Sequence, residues 1–83
     1  MYVKDANSFV ERLFGLMGKA PTDYGLNFPK CTSIHTFFMR FSLDVYCMDK
    51  HKKLISVKHD LKPWRIFIAP KGTRSIIELP HPQ

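Results

Sequence analysis

No window of this sequence approaches the roughly 20 apolar residues of a membrane-spanning helix, and its start, "MYVKDANSFV", has no apolar stretch of signal-peptide length. A soluble cytoplasmic protein is the expectation. Cysteine is scarce too. Cys31 and Cys47 allow one bridge at most, and with no export signal in the chain, reduced thiols are expected rather than a disulfide framework. No Cys-x2-Cys pair is present, which removes the usual signature of structural zinc. Cys31 with His35 and Cys47 with His51 do form Cys-x3-His pairs, but residues four apart on a strand are separated by about 13 Å, so one ion is out of reach of both. Neither a metal nor any other cofactor is expected. The four glycines make no GxGxxG or Walker pattern, so "GKAPTDYG" reads as a surface loop, not a phosphate cradle.

Acidic residues are also few. Seven Asp and Glu face thirteen Lys and Arg, a net charge of +6, which favours weak attraction to polyanions without naming one. The one tight basic group is Lys50, Lys52 and Lys53 beside His51. It is a candidate polyanion-binding patch, and equally the solvated turn of a hairpin, which is the plainer reading.

What the chain has is bulky apolar side chain. With 83 residues, 45% apolar, seven Phe, three Tyr and one Trp, it can form one core that removes roughly 60 to 65 per cent of the unfolded surface from water. Residues 1–83 are read as a single domain, with no repeats, linker or low-complexity tract.

"NSFVERLFGLMG" carries the helix signal: Ser8 and Glu11 make a capping box, and Phe9, Val10, Leu13, Phe14 and Met17 recur at helical spacing before Gly18. The rest of the chain falls into short β-branched or aromatic runs, Tyr2 to Lys4, Leu26 to Phe28, His35 to Met39, Leu43 to Met48, Leu54 to His59, Arg65 to Ile68 and Arg74 to Leu79. Pro29, Pro63, Pro70 and Pro80 lie between or at the ends of these runs, where a missing N–H does least harm. Phe37, Met39, Phe41, Leu43, Val45 and Cys47 alternate along one buried face, and "DKHKK" reads as the hairpin turn after it. A mainly β fold follows, a small antiparallel sandwich or partly open, jelly-roll-like barrel with one short N-terminal helix. Met17, Met39 and Met48 are read as core filling.

Polar residues interrupt the apolar pattern. His35 and Asp44 could form an acid–base pair, the carboxylate setting the imidazole tautomer. The plainer reading satisfies each separately, with Arg40, Arg65 or Arg12 as the partner an inward Asp44 needs. Thr36 lacks an evident base to make it a nucleophile. In "LKPWRIF", Trp64 beside Arg65 could form a platform for a ring or a cation, but a lone Trp in a small domain is expected to close one end of the core.

The order "RLFGLMG", "GLNFPKC", "SIHTFFMRFSLDVYCMD", "PWR", "IIELP" resembles the prokaryotic family known as domain of unknown function 192, from about Arg12 to Pro80. The resemblance implies a compact, mainly β, jelly-roll-like domain of no established activity. Its motif positions here are Gly15, Leu16, Met17, His35, Thr36, Phe37, Met39, Asp44, Trp64, Arg65, Glu78 and Leu79. Phe38 stands where the family often has a small residue and Ser42 where it often has Pro. Family members commonly continue past Glu-Leu-Pro with a closing segment, which this chain is expected to lack.

The expected function is a non-enzymatic β module binding a small molecule or a protein partner, with His35, Thr36, Asp44, Trp64 and Arg65 as the candidate functional cluster. A small enzyme using His35 and Asp44 is one alternative. A weak nucleic-acid binder using Lys50, Lys52 and Lys53 with Trp64 and Arg65 is the other.

Overall fold

Alternation of apolar residues between prolines and charged turns produces seven strands among residues 2–6 and 24–82, the part of the chain that the computed structural model describes. They are β1 Tyr2–Asp5, β2 Tyr24–Pro29, β3 Ser33–His35, β4 Leu43–Met48, β5 Leu54–Leu61, β6 Ile66–Ile68 and β7 Ser75–Pro80. Five of them form one sheet in the order β1-β2-β7-β4-β5, and β3 with β6 forms a separate two-stranded ribbon. β1 runs parallel to β2, and every other pairing is antiparallel.

Register decides which side chains share a face. Leu26 of β2 lies opposite Glu78 of β7, which lies opposite Val45 of β4. Phe28, Ile76 and Cys47 make the next row on the same face. These side chains and Leu43 are buried, and Ala6, Met39, Phe41 and Leu61 join them. Full burial of each large aliphatic side chain here contributes about 1.5–3 kcal/mol. Strands β2 and β7 approach closely because Gly25 has no Cβ: one placed there would meet the Leu79 side chain and stand 2.7 Å from the Glu78 carbonyl oxygen.

The β3–β6 ribbon packs Ile34 and Phe67 against the same core. Period two then turns Ser33, His35, Ile66 and Ile68 to solvent.

Two expectations change. Among the described residues the sheets are open, with β1 and β5 as the two ends of the larger one, and no barrel closes. Alternation tells each strand which face to bury but not whether its sheet's edges will meet. The run His35 to Met39 is not one strand, because β3 ends at His35 and Phe38 turns the chain at φ 64°. The helix expected over Ser8 to Met17 lies outside the described residues. Among those described, no helix is long and apolar enough to cross a membrane.

Candidate functional site

Thr36 is fully buried where β3 ends, and it ties two loops together. Its N–H donates to Arg65 O at 2.8 Å, and its own carbonyl accepts from Trp64 N at 2.9 Å and Met39 N at 3.2 Å. The hydroxyl donates to Lys62 O at 2.7 Å and accepts from Arg65 N at 2.8 Å. A buried hydroxyl with both roles filled is a structural clamp. Thr36 therefore sets the position of the aromatic residues that follow it and of the "KPWR" loop opposite.

Those two loops meet outside the core. The Phe38 and Trp64 rings are in tilted contact, with centroids 4.8 Å apart and planes at 57°, Phe37 lies 6.0 Å from Trp64, and His35 lies 5.1 Å from Phe37. Phe38 is 61% exposed, Trp64 57%, Ile66 67% and Ile68 77%. Trp64 thus does not plug the core as expected. Its N–H is held by Thr36 and its backbone is left-handed at φ 65°, which turns the ring outward. Phe38 shares that conformation at φ 64°. A bulky residue at such φ is uncommon, and strain of this kind, on the order of 1 kcal/mol or more, concentrates at binding and active sites. Arg65 is exposed beside Trp64, and among the described residues its guanidinium reaches the carbonyls of Pro63 and Trp64, at 3.4 and 3.5 Å.

Asp44 belongs to a second cluster. The β4–β5 register shifts between Leu43 and Val45, so His59 and Asp60 together stand across from Asp44, a bulge with Asp60 left-handed at φ 57°. Asp44 Oδ1 accepts from Asp60 N at 3.0 Å and from His81 Nδ1 at 2.7 Å, with His59 Nδ1 at 3.3 Å. Burial pushes the Asp44 carboxyl up, but the Asp60 N–H and the two imidazoles outweigh it and hold the group below its ordinary value. An ionised carboxylate only accepts, so His81 carries its hydrogen on Nδ1. His59 is steadied by an edge-on contact with Tyr46, centroids 6.2 Å apart, and His81 N donates to Ser42 O at 2.9 Å. Asp44 is thereby a brace joining the β5 bulge to the residue that follows β7.

His35 and Asp44 are not brought together. His35 Nδ1 accepts from Phe37 N at 3.2 Å and its ring lies on Phe37, while Asp44 takes histidines from elsewhere in the chain. Of the arginines expected beside Asp44, Arg40 and Arg65 are not among its partners in the described residues, and Arg12 lies outside them. His59, Asp60 and His81 were not legible as partners, because they reach Asp44 only through a bulge and across the sheet.

Lys50, Lys52 and Lys53 occupy the β4–β5 turn. Asp49 organises it by accepting from His51 N at 2.8 Å and Lys53 N at 2.9 Å. The turn and Trp64 sit at opposite ends of β5, about 26 Å apart along an eight-residue strand. Cys31 Sγ donates to Ser33 O at 3.0 Å, and Cys47 lies in the core. Glu78 is buried on the inner face without a cation bridged to it among the described residues, and burial pushes its carboxyl up to about 8. On the outer face a shallow depression of about 190 Å³ is lined by Val3, Asp5, Asn27, Met48, Lys52, Ser75 and Ile77.

The family model described as an uncharacterized ACR, domain of unknown function 192, matches residues 1–82. The chain belongs to this family. A UPF0127 protein of Pyrococcus horikoshii is 45% identical over 84 residues, covering 94% of this chain and 71% of its own length. A UPF0127 protein of Thermococcus sibiricus is 38% identical, covering 94% of this chain and 54% of its own. A solved protein of unknown function from Novosphingobium aromaticivorans aligns with a TM-score of 0.77 at 16% identity, over 95% of this chain and 62% of that one. That likeness shows the fold alone. The chain thus spans between 54% and 71% of the length of these three.

Proposed function

We propose that this member of the domain of unknown function 192 family is a non-catalytic binding module that takes a protein partner on the outward face made by His35, Phe38, Trp64, Ile66 and Ile68. The observation that carries the reading is the Phe38–Trp64 pair, two exposed aromatics at positive φ in tilted contact with centroids 4.8 Å apart. Aromatic and aliphatic side chains that a clamp holds outward lower the entropic cost of binding, and interface cores are rich in them. Exposed apolar patches rimmed by polar residues mark such contacts. The depression on the outer face, about 190 Å³, is below the roughly 300 Å³ at which ligand pockets begin.

Cross-linking in the organism that makes the protein tests this, with a Phe38→Gly/Trp64→Ser variant as comparator. A protein recovered reproducibly with the native chain and lost with the variant supports the reading. Equal recovery from both contradicts it.

A further inference from the structure

Among the described residues, strand β6 has one bonded edge and one open edge. Ala69 N–H donates to Thr32 O at 2.9 Å and Thr36 N–H to Arg65 O at 2.8 Å, and Ile34 lies opposite Phe67 midway between them. Antiparallel ladders bond at every second pair. The N–H and C=O of Ile66 and Ile68 therefore point away from β3, and no described strand takes them. The outer edge of β3 is partly taken locally, since Ser33 O accepts from Cys31 Sγ at 3.0 Å. Natural edges are blunted by bulges, proline or inward charges. β6 instead pairs its open edge with two exposed isoleucines.

The segments that build this face are basic, although Lys62 pairs with Asp60 at 2.9 Å. The two segments that build the face, residues 30–43 and 61–77, contain Lys30, Arg40, Lys62, Arg65, Lys71 and Arg74 and no Asp or Glu. Arg65 and Lys71 bracket β6, and neither pairs with a carboxylate among the described residues.

We propose that β6 accepts an extended segment of the partner protein as an added strand, apolar at its centre and acidic at its ends. The step rests on the partner-binding reading above and specifies its chemistry. Ile66 and Ile68 supply two N–H donors and two C=O acceptors to the added backbone, and their exposed side chains cover its apolar centre. Arg65 and Lys71 meet the flanking carboxylates. A second copy of this chain is a poorer occupant, because pairing β6 with itself sets cation against cation. Nucleic acid offers no ladder for the open amides.

The probe is the synthetic peptide acetyl-Asp-Glu-Val-Thr-Val-Glu-Asp-amide, titrated into the full chain while amide hydrogen exchange and chemical shifts are read by NMR. Three controls accompany it: the same peptide with Lys at every acidic position, the same peptide with both valines N-methylated, and a ten-residue thymidine oligonucleotide. Ile68→Pro is the variant, since that N–H lies outside the β3 ladder and an edge tolerates proline. Expected are at least ten-fold slower exchange at Ile66 and Ile68 with the acidic peptide, loss of that protection in Ile68→Pro and with the N-methylated peptide, and at least ten-fold weaker binding of the Lys peptide. Equal binding of the N-methylated peptide, with shifts at Trp64 and unprotected Ile66 and Ile68, would overturn strand addition and leave partner binding standing. Binding of the oligonucleotide and of no peptide would overturn both. Should nothing bind at millimolar concentration, strand addition is wrong, and the cross-linking comparison judges the partner reading separately.

Discussion

Phe38 and Trp64 come from different loops, each has a left-handed backbone, and their exposed rings meet at a tilt with centroids 4.8 Å apart. Neither conformation is one a large side chain adopts freely. The pair exists because Thr36 bonds to both sides of the gap, to Trp64 N and Arg65 N on one and Met39 N on the other.

Replacing Phe38 with glycine removes the positive-φ strain and an exposed ring, and adds backbone freedom to the unfolded chain. These effects oppose one another at about 0.5–1 kcal/mol each. Chemical denaturation is expected to place Phe38→Gly within about 1 kcal/mol of the native chain.

Thr36→Val keeps the shape and deletes the hydroxyl. Lys62 O and Arg65 N are then left without the partner they have at 2.7 and 2.8 Å. Two unsatisfied groups in a buried setting cost about 1–3 kcal/mol each before relaxation. A loss of about 2–4 kcal/mol in denaturant unfolding is expected, together with faster exchange of the Arg65 amide.

Asp44 releases its proton more readily in the folded chain than in the unfolded one, where the ordinary value is 3.8. Its contribution is therefore complete above that value and is lost as pH falls through the lower folded value. Asp44→Asn should be less stable by about 1–3 kcal/mol at neutral pH. The difference from the native chain should shrink as both are taken towards pH 2 and followed by circular dichroism.

Glu78 has the opposite sign. Its carboxyl, ordinarily near 4.5, is raised to about 8 by burial, so the folded chain holds a proton the unfolded chain has lost. Stability then declines as pH rises between those values and levels off above the upper one. Glu78→Gln should flatten that decline, with a melting temperature close to native near pH 4.5 and clearly higher at pH 8–9.

Much of the fold was legible because proline and charged turns separate its strands. Leu43 to Met48 is the clearest case, read with the bounds it has in β4. "TFFMRF" was not legible in the same way, since its residues are apolar at both parities and nothing in it marks Phe38 as left-handed. Trp64 was expected inside because large aromatics usually are. What places it outside is a bond from its backbone to Thr36, 28 residues earlier, for which no local signal exists. Asp44 stood out as an inward carboxylate that needed a partner. His59 and His81, 15 and 37 residues on, reach it only because a bulge and a strand end converge there.

The partner face is tested most directly by in-cell cross-linking of the native chain beside Phe38→Gly/Trp64→Ser, with both shown to be folded by their melting curves. A protein recovered with the native chain and at least ten-fold depleted with the variant is the expected result. Equal recovery from two equally folded chains would contradict the assignment of this face as the binding site.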